Sequence, residues 1–369
     1  MRFYLLDKLI CPHCGYFPLS VVVLEEHQGA APVTNTRPCA LYCAHEAEWL
    51  RNTSAEPPCS SCLKRQIWSG ELVCSECGSR YPIDERIPNL LVEEAVDEWI
   101  KEEQTWWDKR YMKKRASQND TIRVKRVVNE KEVPGNRYYE RNTYLFAPLR
   151  QRGIQGRLVL EIGAGTSQYV ADLLPPSAEH YFYVGTDVSR EALTIGSQLL
   201  PEGDFIQCAA GKMPFRREIF DVLLSLGVLH HIPRWQSSLN QIIDLLKPGG
   251  WMLFEEVIEK PRVLGRFRKH SLTASIDSPH EGEIVFDELL EILFQKGAVI
   301  MWRLKSTPLR VLLVWALGRV MEKSLVVTKA VLDADQLFMK VVGKVFKSLG
   351  PREALGIFEK RQDEGTHHP

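Results

Sequence analysis

The chain has 369 residues, 44% of them hydrophobic, which is enough for about two domains with a sizeable core. Its 47 basic and 47 acidic residues balance, so the chain as a whole has no strong attraction for nucleic acid. The first residues reach Asp7 and Cys11 too early for the apolar region of a signal peptide, and no apolar run approaches the roughly 20 residues that span a bilayer. These features predict a cytoplasmic protein.

Eight of the nine cysteines lie before residue 80 and form four close pairs. Without an export signal, such pairs indicate metal binding rather than disulfides. Zinc takes four thiolates in a tetrahedron, and a Cys-x-x-Cys turn supplies two of them. The sequence predicts one zinc site and leaves room for a second, with interleaved pairing as the alternative: Cys11, Cys14, Cys74 and Cys77 for the first, and Cys39, Cys43, Cys59 and Cys62 for the second. His13 and His45 are competing ligands, but eight thiols suffice without them.

The outer cysteine pairs stand in a recognisable context. Cys11-Pro-His-Cys14 and Cys74-Ser-Glu-Cys77-Gly are followed by Tyr81-Pro-Ile and by Ile87-Pro-Asn-Leu-Leu. This pattern resembles the small zinc-ribbon family that activates tRNA and release-factor methyltransferases, and it departs from that family in the long middle between Glu25 and Ser69. The resemblance implies a zinc-ribbon domain over residues 1–95 with a cysteine-bearing insertion. Its expected role is structural, or contact with a protein partner or a second copy of the chain.

A connector, residues 96–157, follows with an excess of basic residues and many aromatic ones. Such a segment grips RNA or an anionic head group, or it forms a solvated helix packed on a core, and the second interpretation is favoured.

A buried strand then turns tightly into a helix over Leu158–Ser167. Gly163 and Gly165 allow the backbone to approach a ligand, and the helix that follows offers free N–H groups. The next strand, Tyr181–Asp187, ends in an acid that can accept both hydrogens of a ribose diol. These features alone fit a dinucleotide as well as other nucleotide-like ligands.

Later segments narrow the ligand. The sequence predicts a strand followed by a loop over Phe220–Ile232, a helix end and turn over Leu245–Gly250, and another strand over Trp251–Glu256. In addition, Gln168 stands in place of the third glycine of the dinucleotide pattern. Together with Met213-Pro-Phe215, they resemble the class I S-adenosylmethionine-dependent methyltransferases, in particular the ubiquinone and menaquinone branch. The resemblance implies an α/β fold with a Rossmann-like seven-stranded sheet, parallel but for one strand, within a methyltransferase domain spanning 158–369.

The resemblance also implies site residues. Asp187 holds the ribose hydroxyls and Val188 lies near the adenine, while Ala209 stands where the family has an acid, which leaves the adenine contact open. The predicted cofactor-binding residues are Glu161, Gly163, Ala164, Gly165, Asp187, Val188, Ala209, Ala210 and Leu226. His230 and His231 follow the fourth strand, where either serves as a base or simply packs and caps the loop. Tyr139 and Tyr144 are candidates for a lid.

The carboxyl-terminal part predicts a helix over Phe286–Lys296 and strands at Ala298–Leu304 and Glu353–Lys360. Between these strands, residues 305–350 form an insertion with helical periodicity, apolar on one side and basic on the other. Such helices cover an apolar substrate or lie peripherally on an anionic membrane, or they add core or a dimer contact. The polar segment His270–His280 is expected to bound the acceptor pocket.

The sequence thus predicts methyl transfer from S-adenosylmethionine to a small-molecule, lipid-linked or glycan acceptor. An RNA acceptor is the less favoured enzyme alternative, because the total charge is neutral and no Asn-Pro-Pro-Tyr type sequence follows the fourth strand. A non-catalytic scaffold or activating subunit with a degenerate cofactor site is the remaining alternative.

Overall fold

The computed structural model describes residues 1–30, 37–50, 59–91, 97–116, 137–258, 278–282, 284–305 and 353–362. The amino-terminal part begins with a 3-10 turn, Phe3–Asp7, and contains an antiparallel sheet in the order β1-β4-β5-β6. Its strands are β1 (Ser20–Gln28), β4 (Arg65–Val73), β5 (Arg80–Asp84) and β6 (Ile87–Pro88). The middle segment adds a short hairpin, β2 (Tyr42–Cys43) and β3 (Glu48–Trp49), and one helical turn, α1 (Cys59–Cys62).

The second sheet has seven strands in the order β12-β13-β11-β10-β7-β8-β9. The strands are β7 (Leu158–Ile162), β8 (Phe182–Asp187), β9 (Asp204–Gln207), β10 (Phe220–Leu226), β11 (Leu246–Val257), β12 (Gly297–Lys305) and β13 (Glu353–Lys360). All neighbours pair in parallel except β13, which is antiparallel to both β11 and β12. The predicted seven-stranded sheet with one antiparallel strand is confirmed.

Helices cover this sheet and its carboxyl edge. They are α2 (Glu98–Ala116), α3 (Arg137–Arg141) continuing through a π-helical turn (Asn142–Phe146) into α4 (Ala147–Arg152), α5 (Gln168–Leu173), α6 (Pro176–Glu179), α7 (Arg190–Leu199), a 3-10 turn (Leu229–His231), α8 (Trp235–Asp244) and α9 (Phe286–Lys296). Among these described helices, none combines the length and the apolar character that crossing a bilayer requires.

Within the described residues, the predicted strands and helices agree with the structure except in one segment. The sequence predicts a helix end and turn over Leu245–Gly250, and this prediction is wrong, because β11 already begins at Leu246. Phe220 pairs with Leu246 and Val222 with Trp251, so residues 247–250 bulge out between two strand pairings. Of the predicted insertion, residues 306–350 lie outside the described part of the chain, as do residues 117–136 of the connector and 270–277 of the polar loop.

The two sheets share one hydrophobic core. Buried residues of the amino-terminal part form a continuous cluster with one face of the seven-stranded sheet, and the Tyr4 ring packs on Phe182 of β8 at 5.3 Å between centroids. Alternate residues such as Val159 belong to a second cluster on the opposite face, beneath the helices α3 and α4. The amino-terminal part is therefore packed as an integral layer of the molecule.

Backbone pairing extends this contact along the sheet edge. Asn89 forms a parallel bridge with Gln207, and the Leu90 N–H donates to the Gln207 carbonyl at 2.8 Å. Arg86 donates to the Gly203 carbonyl at 3.0 Å, and Arg190 returns a bond to the Ile87 carbonyl at 2.8 Å. The chain after β6 thus covers the edge strand β9, which would otherwise present unpaired backbone groups.

Candidate functional site

The turn after β7 has a backbone that favours glycine. Gly163 and Gly165 have φ values of 58° and 53°, in the left-handed region. A Cβ on Gly163 would lie 2.5 Å from a Val228 methyl group, and one on Gly165 would lie 2.8 Å from the Tyr111 hydroxyl. Side chains are therefore excluded here, and the backbone is left accessible at the carboxyl end of the sheet, where ligands bind in such folds.

Asp187 connects this turn to the next helix. Its carboxylate accepts the Gly165 N–H at 2.8 Å and the Ser189 N–H at 2.8 Å. Burial raises the pKa of Asp187 to about 6, although the backbone hydrogen bonds oppose that rise. The carboxylate is thus already oriented at the point where a ribose is expected.

A second buried acid, Glu161, lies at the end of β7. The Tyr183 hydroxyl donates to it, and burial raises the pKa of Glu161 to about 7 against the lowering effects of that hydrogen bond and of Arg141. Arg141 in turn pairs with Glu255 at 2.5 Å and lies over the Tyr169 ring. These buried charges hold α3 against the strand ends.

Helix α2 covers the glycine turn. Asp108 accepts the Ser189 hydroxyl at 2.6 Å, which anchors the helix to the start of α7. Tyr111 stacks on Trp107, and the Trp107 ring meets His231 edge-on at 5.5 Å. The predicted lid residues Tyr139 and Tyr144 do not line the cavity beneath this helix.

Helix α2, which is not among the predicted site elements, covers the cavity instead. The signal that could have found it is the four-residue spacing of Trp99, Glu103, Trp107 and Tyr111, which places all four on one face of a helix. These four residues and Tyr138 line the cavity.

The cavity has a volume of about 470 Å³, within the range of small-molecule sites. It lies between α2, α3 and the carboxyl ends of β7, β8, β9 and β10. The predicted residues that line it are Glu161, Gly163, Ala164, Gly165, Asp187, Val188, Ala210, Leu226 and His231. Ala209 is buried but does not line it, whereas the neighbouring Cys208 does.

The two histidines make different contacts. His230 is buried and bonds through Nδ1 to Glu256 at 2.9 Å, and the same carboxylate accepts the N–H groups of Val228 and Leu229. His230 therefore stabilises the loop after β10. His231 faces the cavity, with Nδ1 2.7 Å from the Ser278 hydroxyl, and burial together with His230 lowers its pKa to about 3.

The outer cysteine pairs converge on one metal-binding geometry. The sulfur atoms of Cys11, Cys14, Cys74 and Cys77 all lie within 4.8 Å of one another. Cys11 and Cys77 are 3.7 Å apart and Cys14 and Cys74 are 3.6 Å apart, close to the roughly 3.8 Å that a zinc tetrahedron with 2.3 Å bonds requires. The donor set fits zinc, and the structure favours the pairing of first with last knuckle.

The inner pairs also come together, but less closely. Cys39, Cys43, Cys59 and Cys62 line one small cavity, as does His45. Within the described residues, only the outer quartet brings three or more ligand atoms within 4.8 Å of one another. None of the nine cysteines forms a disulfide.

Two family models match the chain. The model for a methyltransferase domain matches residues 160–254, and that for a Trm112p-like protein matches residues 2–85. The phthiotriol/phenolphthiotriol dimycocerosates methyltransferase 1 of Mycobacterium ulcerans is 29% identical over 109 residues, which is 28% of this chain and 39% of that protein. The tRNA (carboxymethyluridine(34)-5-O)-methyltransferase of Arabidopsis thaliana is 31% identical over 102 residues, covering 27% of this chain and 23% of that protein.

Among solved structures, a chain from the complex between the Haloferax volcanii Trm112 methyltransferase activator and the putative methyltransferase overlaps with 73% of this chain and 100% of its own, at 13% identity and a TM-score of 0.42.

The present chain spans well under half the length of the two curated relatives described above. The narrower resemblance to the ubiquinone and menaquinone branch stays a prediction. The glycine turn and the acid of β8 lie within the residues that the methyltransferase model matches, and the four-thiol cluster lies within those that the Trm112p-like model matches. The chain therefore carries a Trm112p-like domain and a methyltransferase domain in one polypeptide.

Proposed function

We propose that this chain is an S-adenosylmethionine-dependent methyltransferase whose cofactor binds in the 470 Å³ cavity. The observation that carries the proposal is that one cavity unites the open backbone of Gly163–Gly165, the Asp187 carboxylate and the α2 lid. When bound, the cofactor supplies a methyl group activated by a sulfonium. The protein's task is to orient the acceptor and exclude water.

The lining groups fit the polar parts of this cofactor. The Asp187 carboxylate offers acceptors for both ribose hydroxyls. The Oε1 atom of Gln168 is buried and has no hydrogen-bond partner in the described part of the chain, while its amide nitrogen donates to Asp172 at 2.6 Å. An unpaired buried acceptor is costly, and the ammonium group of a methionine moiety would satisfy it. Calorimetry with S-adenosylmethionine and S-adenosylhomocysteine tests the proposal, and a protein that binds neither would refute it.

Glu103 is the candidate acid for the adenine contact, because Ala209 stands where the family has an acid. Glu103 is only 3% exposed to solvent, and it lines the cavity. It accepts the Trp107 indole N–H at 2.9 Å and the His280 N–H at 2.9 Å, both neutral donors. Each carboxylate oxygen has two lone pairs, so acceptor capacity remains for a ligand.

The path of the chain supports a contact between Glu103 and the adenine. Leu90 pairs with Gln207 at the end of β9, and α2 begins at Glu98, so its first turns lie close to the carboxyl end of that strand. Cys208 and Ala210, which follow that strand, line the same cavity as Glu103. We therefore assign the contact with the adenine amino group to Glu103.

This assignment predicts a specific coupling between Glu103 and the adenine amino group. Wild-type protein should bind S-adenosylhomocysteine about 10- to 100-fold more tightly than S-inosylhomocysteine, which lacks that amino group, because one charge-assisted hydrogen bond is lost. Glu103→Gln should bind the two ligands with nearly equal affinity. The control is Glu102→Gln, because Glu102 is half exposed and pairs with the His280 ring. Equal discrimination in wild type and Glu103→Gln would overturn the assignment.

His231 is the candidate residue for orienting the acceptor. With its pKa lowered to about 3, the imidazole stays neutral at physiological pH and accepts a hydrogen bond, whereas its weak basicity disfavours full proton transfer to it. In nitrogen-detected NMR of histidine-labelled protein, the His231 ring signals should not titrate between pH 8 and pH 5, whereas ordinary histidines change charge near 6.5. His231→Gln identifies the signal by its loss. A His231 titration near pH 6.5 would contradict the burial argument.

For the acceptor, we favour a small or lipid-linked molecule over RNA. Support comes from the aromatic side chains of Trp107, Tyr138 and Tyr169, which line the cavity beside Arg110 and Arg137. The names of the two relatives refer to a lipid and to a tRNA, and each similarity covers less than a third of this chain, so they support methyl transfer more than either acceptor. A steep loss of RNA binding with salt would favour RNA instead.

The Trm112p-like domain is proposed to act within the same chain as the partner of the methyltransferase domain. Its support is the shared core and the pairing of Leu90 with Gln207. Contacts with a further protein or a second copy, a cytoplasmic location and peripheral membrane contact remain predictions. The last of these depends on residues 306–350, outside the described part of the chain.

A further inference from the structure

We propose that the insertion in the Trm112p-like domain holds a second zinc ion on Cys39, Cys43, Cys59 and Cys62. These four residues come from separate segments, the loop before β2, β2 itself and α1, yet they line one cavity. Its volume is about 10 Å³, the space of roughly one water-sized particle. Four thiols around a space of that size form the donor set of a structural zinc site.

The Cys59–Cys62 turn shares one backbone hydrogen bond with the two cysteine turns of the first site. In the first site, the Gly15 N–H donates to the Cys11 carbonyl at 2.8 Å and the Gly78 N–H donates to the Cys74 carbonyl at 2.9 Å. In α1, the Leu63 N–H donates to the Cys59 carbonyl at 2.9 Å in the same way. The same closing bond, from the fourth residue after the first cysteine, therefore occurs in all three Cys-x-x-Cys turns.

The other two cysteines lie on a loop that a buried acid holds in place. The Asp7 carboxylate accepts the N–H groups of Ala40, Leu41 and Tyr42 at 2.9, 2.8 and 2.8 Å. Asp7 also binds Lys8 at 2.7 Å. The loop between Cys39 and Cys43 is thus fixed by three hydrogen bonds to one fully buried side chain.

Basic side chains lie beside the four thiols. Arg37 lines the cavity, and the Lys8 ammonium donates to the Pro38 carbonyl at 2.7 Å beside it. His45 is engaged elsewhere, because Arg65 donates to its Nδ1 and its Nε2 lies 3.4 Å from Glu46. The four thiols are therefore the proposed ligand set.

This site also contacts the methyltransferase domain. Tyr4 lines the cavity and packs on Phe182 of β8, while the Arg216 guanidinium donates to the Asp7 carbonyl at 2.7 Å. A metal ion here would fix the face of the Trm112p-like domain that packs against the seven-stranded sheet.

Metal stoichiometry tests the proposal on the full chain. Inductively coupled plasma mass spectrometry of protein purified without chelators should give two zinc ions per chain, and the double variant Cys59→Ser/Cys62→Ser should give one. Cys208→Ser, which removes the buried cysteine outside the domain, should keep two. One zinc in the wild type, or two in the Cys59/Cys62 variant, would overturn the proposal.

A second measurement keeps the test valid if the double variant fails to fold. Titration of wild-type protein with an organomercurial, with released zinc followed by a chromogenic chelator, should release two equivalents for eight reacted thiols. Release of a single equivalent, or disulfides joining Cys39 to Cys43 or Cys59 to Cys62 in mass spectra of unreduced protein, would contradict it.

Discussion

Replacing Asp204 with alanine should destabilise the chain by about 3–5 kcal/mol, because it leaves the Arg2 guanidinium buried without its counter-charge. Arg2 is fully buried and Asp204 is 2% exposed. The Arg2 side chain pairs with one oxygen of Asp204 at 3.0 Å, and the Arg2 N–H donates to the other at 2.9 Å. One carboxylate of the methyltransferase domain therefore holds the first turn of the Trm112p-like domain.

Three positive groups surround Asp204. Burial alone would raise the pKa of Asp204, but Arg2, the amino-terminal ammonium and Arg86 together hold it below its usual value. Because the folded pKa is depressed, the contribution of Asp204 to stability is present above its unfolded value near 3.9 and is lost as the pH falls through the lower folded value. The junction between the domains should accordingly loosen only in acid.

Urea unfolding at pH 7 measures the effect of Asp204→Ala. Asp84→Asn is the matched control, since Asp84 pairs with Arg190 at 3.3 Å across the same junction but is 78% exposed. Exposed pairs of this kind contribute at most about 1 kcal/mol. If both variants unfold at the same urea concentration as wild type, the Arg2–Asp204 pair does not hold the domains together.

Features of the candidate site that depend on a local pattern could be predicted from the sequence. The glycine turn, the acid at the end of β8 and the outer cysteine pairs each lie within a few residues of the strand or turn that positions them. The bounds of β13 and α9 followed directly from apolar periodicity and a glycine stop. At such positions the local backbone conformation accepts few residue types, so the residue type indicates the conformation.

Features that depend on distant contacts could not be predicted in this way. The spacing of Trp107 and Tyr111 puts them on one face of helix α2, but the sequence does not show what that face contacts. The hydrogen bond that Asp108 accepts from Ser189 turns the face toward the cavity. The pairing of Leu90 with Gln207 joins residues more than a hundred positions apart. His230 and His231 are adjacent in sequence, and only the position of Glu256 on β11 assigns one to the loop and the other to the cavity.

The second large effect is expected at Asp187. Asp187→Asn should weaken S-adenosylhomocysteine binding by about 10- to 100-fold, because one charged acceptor for the ribose hydroxyls is replaced by an amide that offers one oxygen and a competing donor. Asp244→Asn is the control, since Asp244 pairs with Lys296 at 2.9 Å and does not line the cavity. Unchanged affinity in Asp187→Asn would remove the ribose contact from the proposed site.

The pH dependence provides the independent test of the same contact. The folded pKa of Asp187, about 6, lies above its unfolded value, so the unliganded protein favours the protonated carboxyl and loses stability as the pH rises through that interval. Binding has the opposite sign, because the ribose hydroxyls require the ionised acceptor. The affinity of wild-type protein should therefore fall by up to about tenfold per unit below pH 6, while Asp187→Asn should show a flatter profile. A wild-type affinity that is constant from pH 7 to pH 5 would mean that Asp187 does not bind the ribose through its charge.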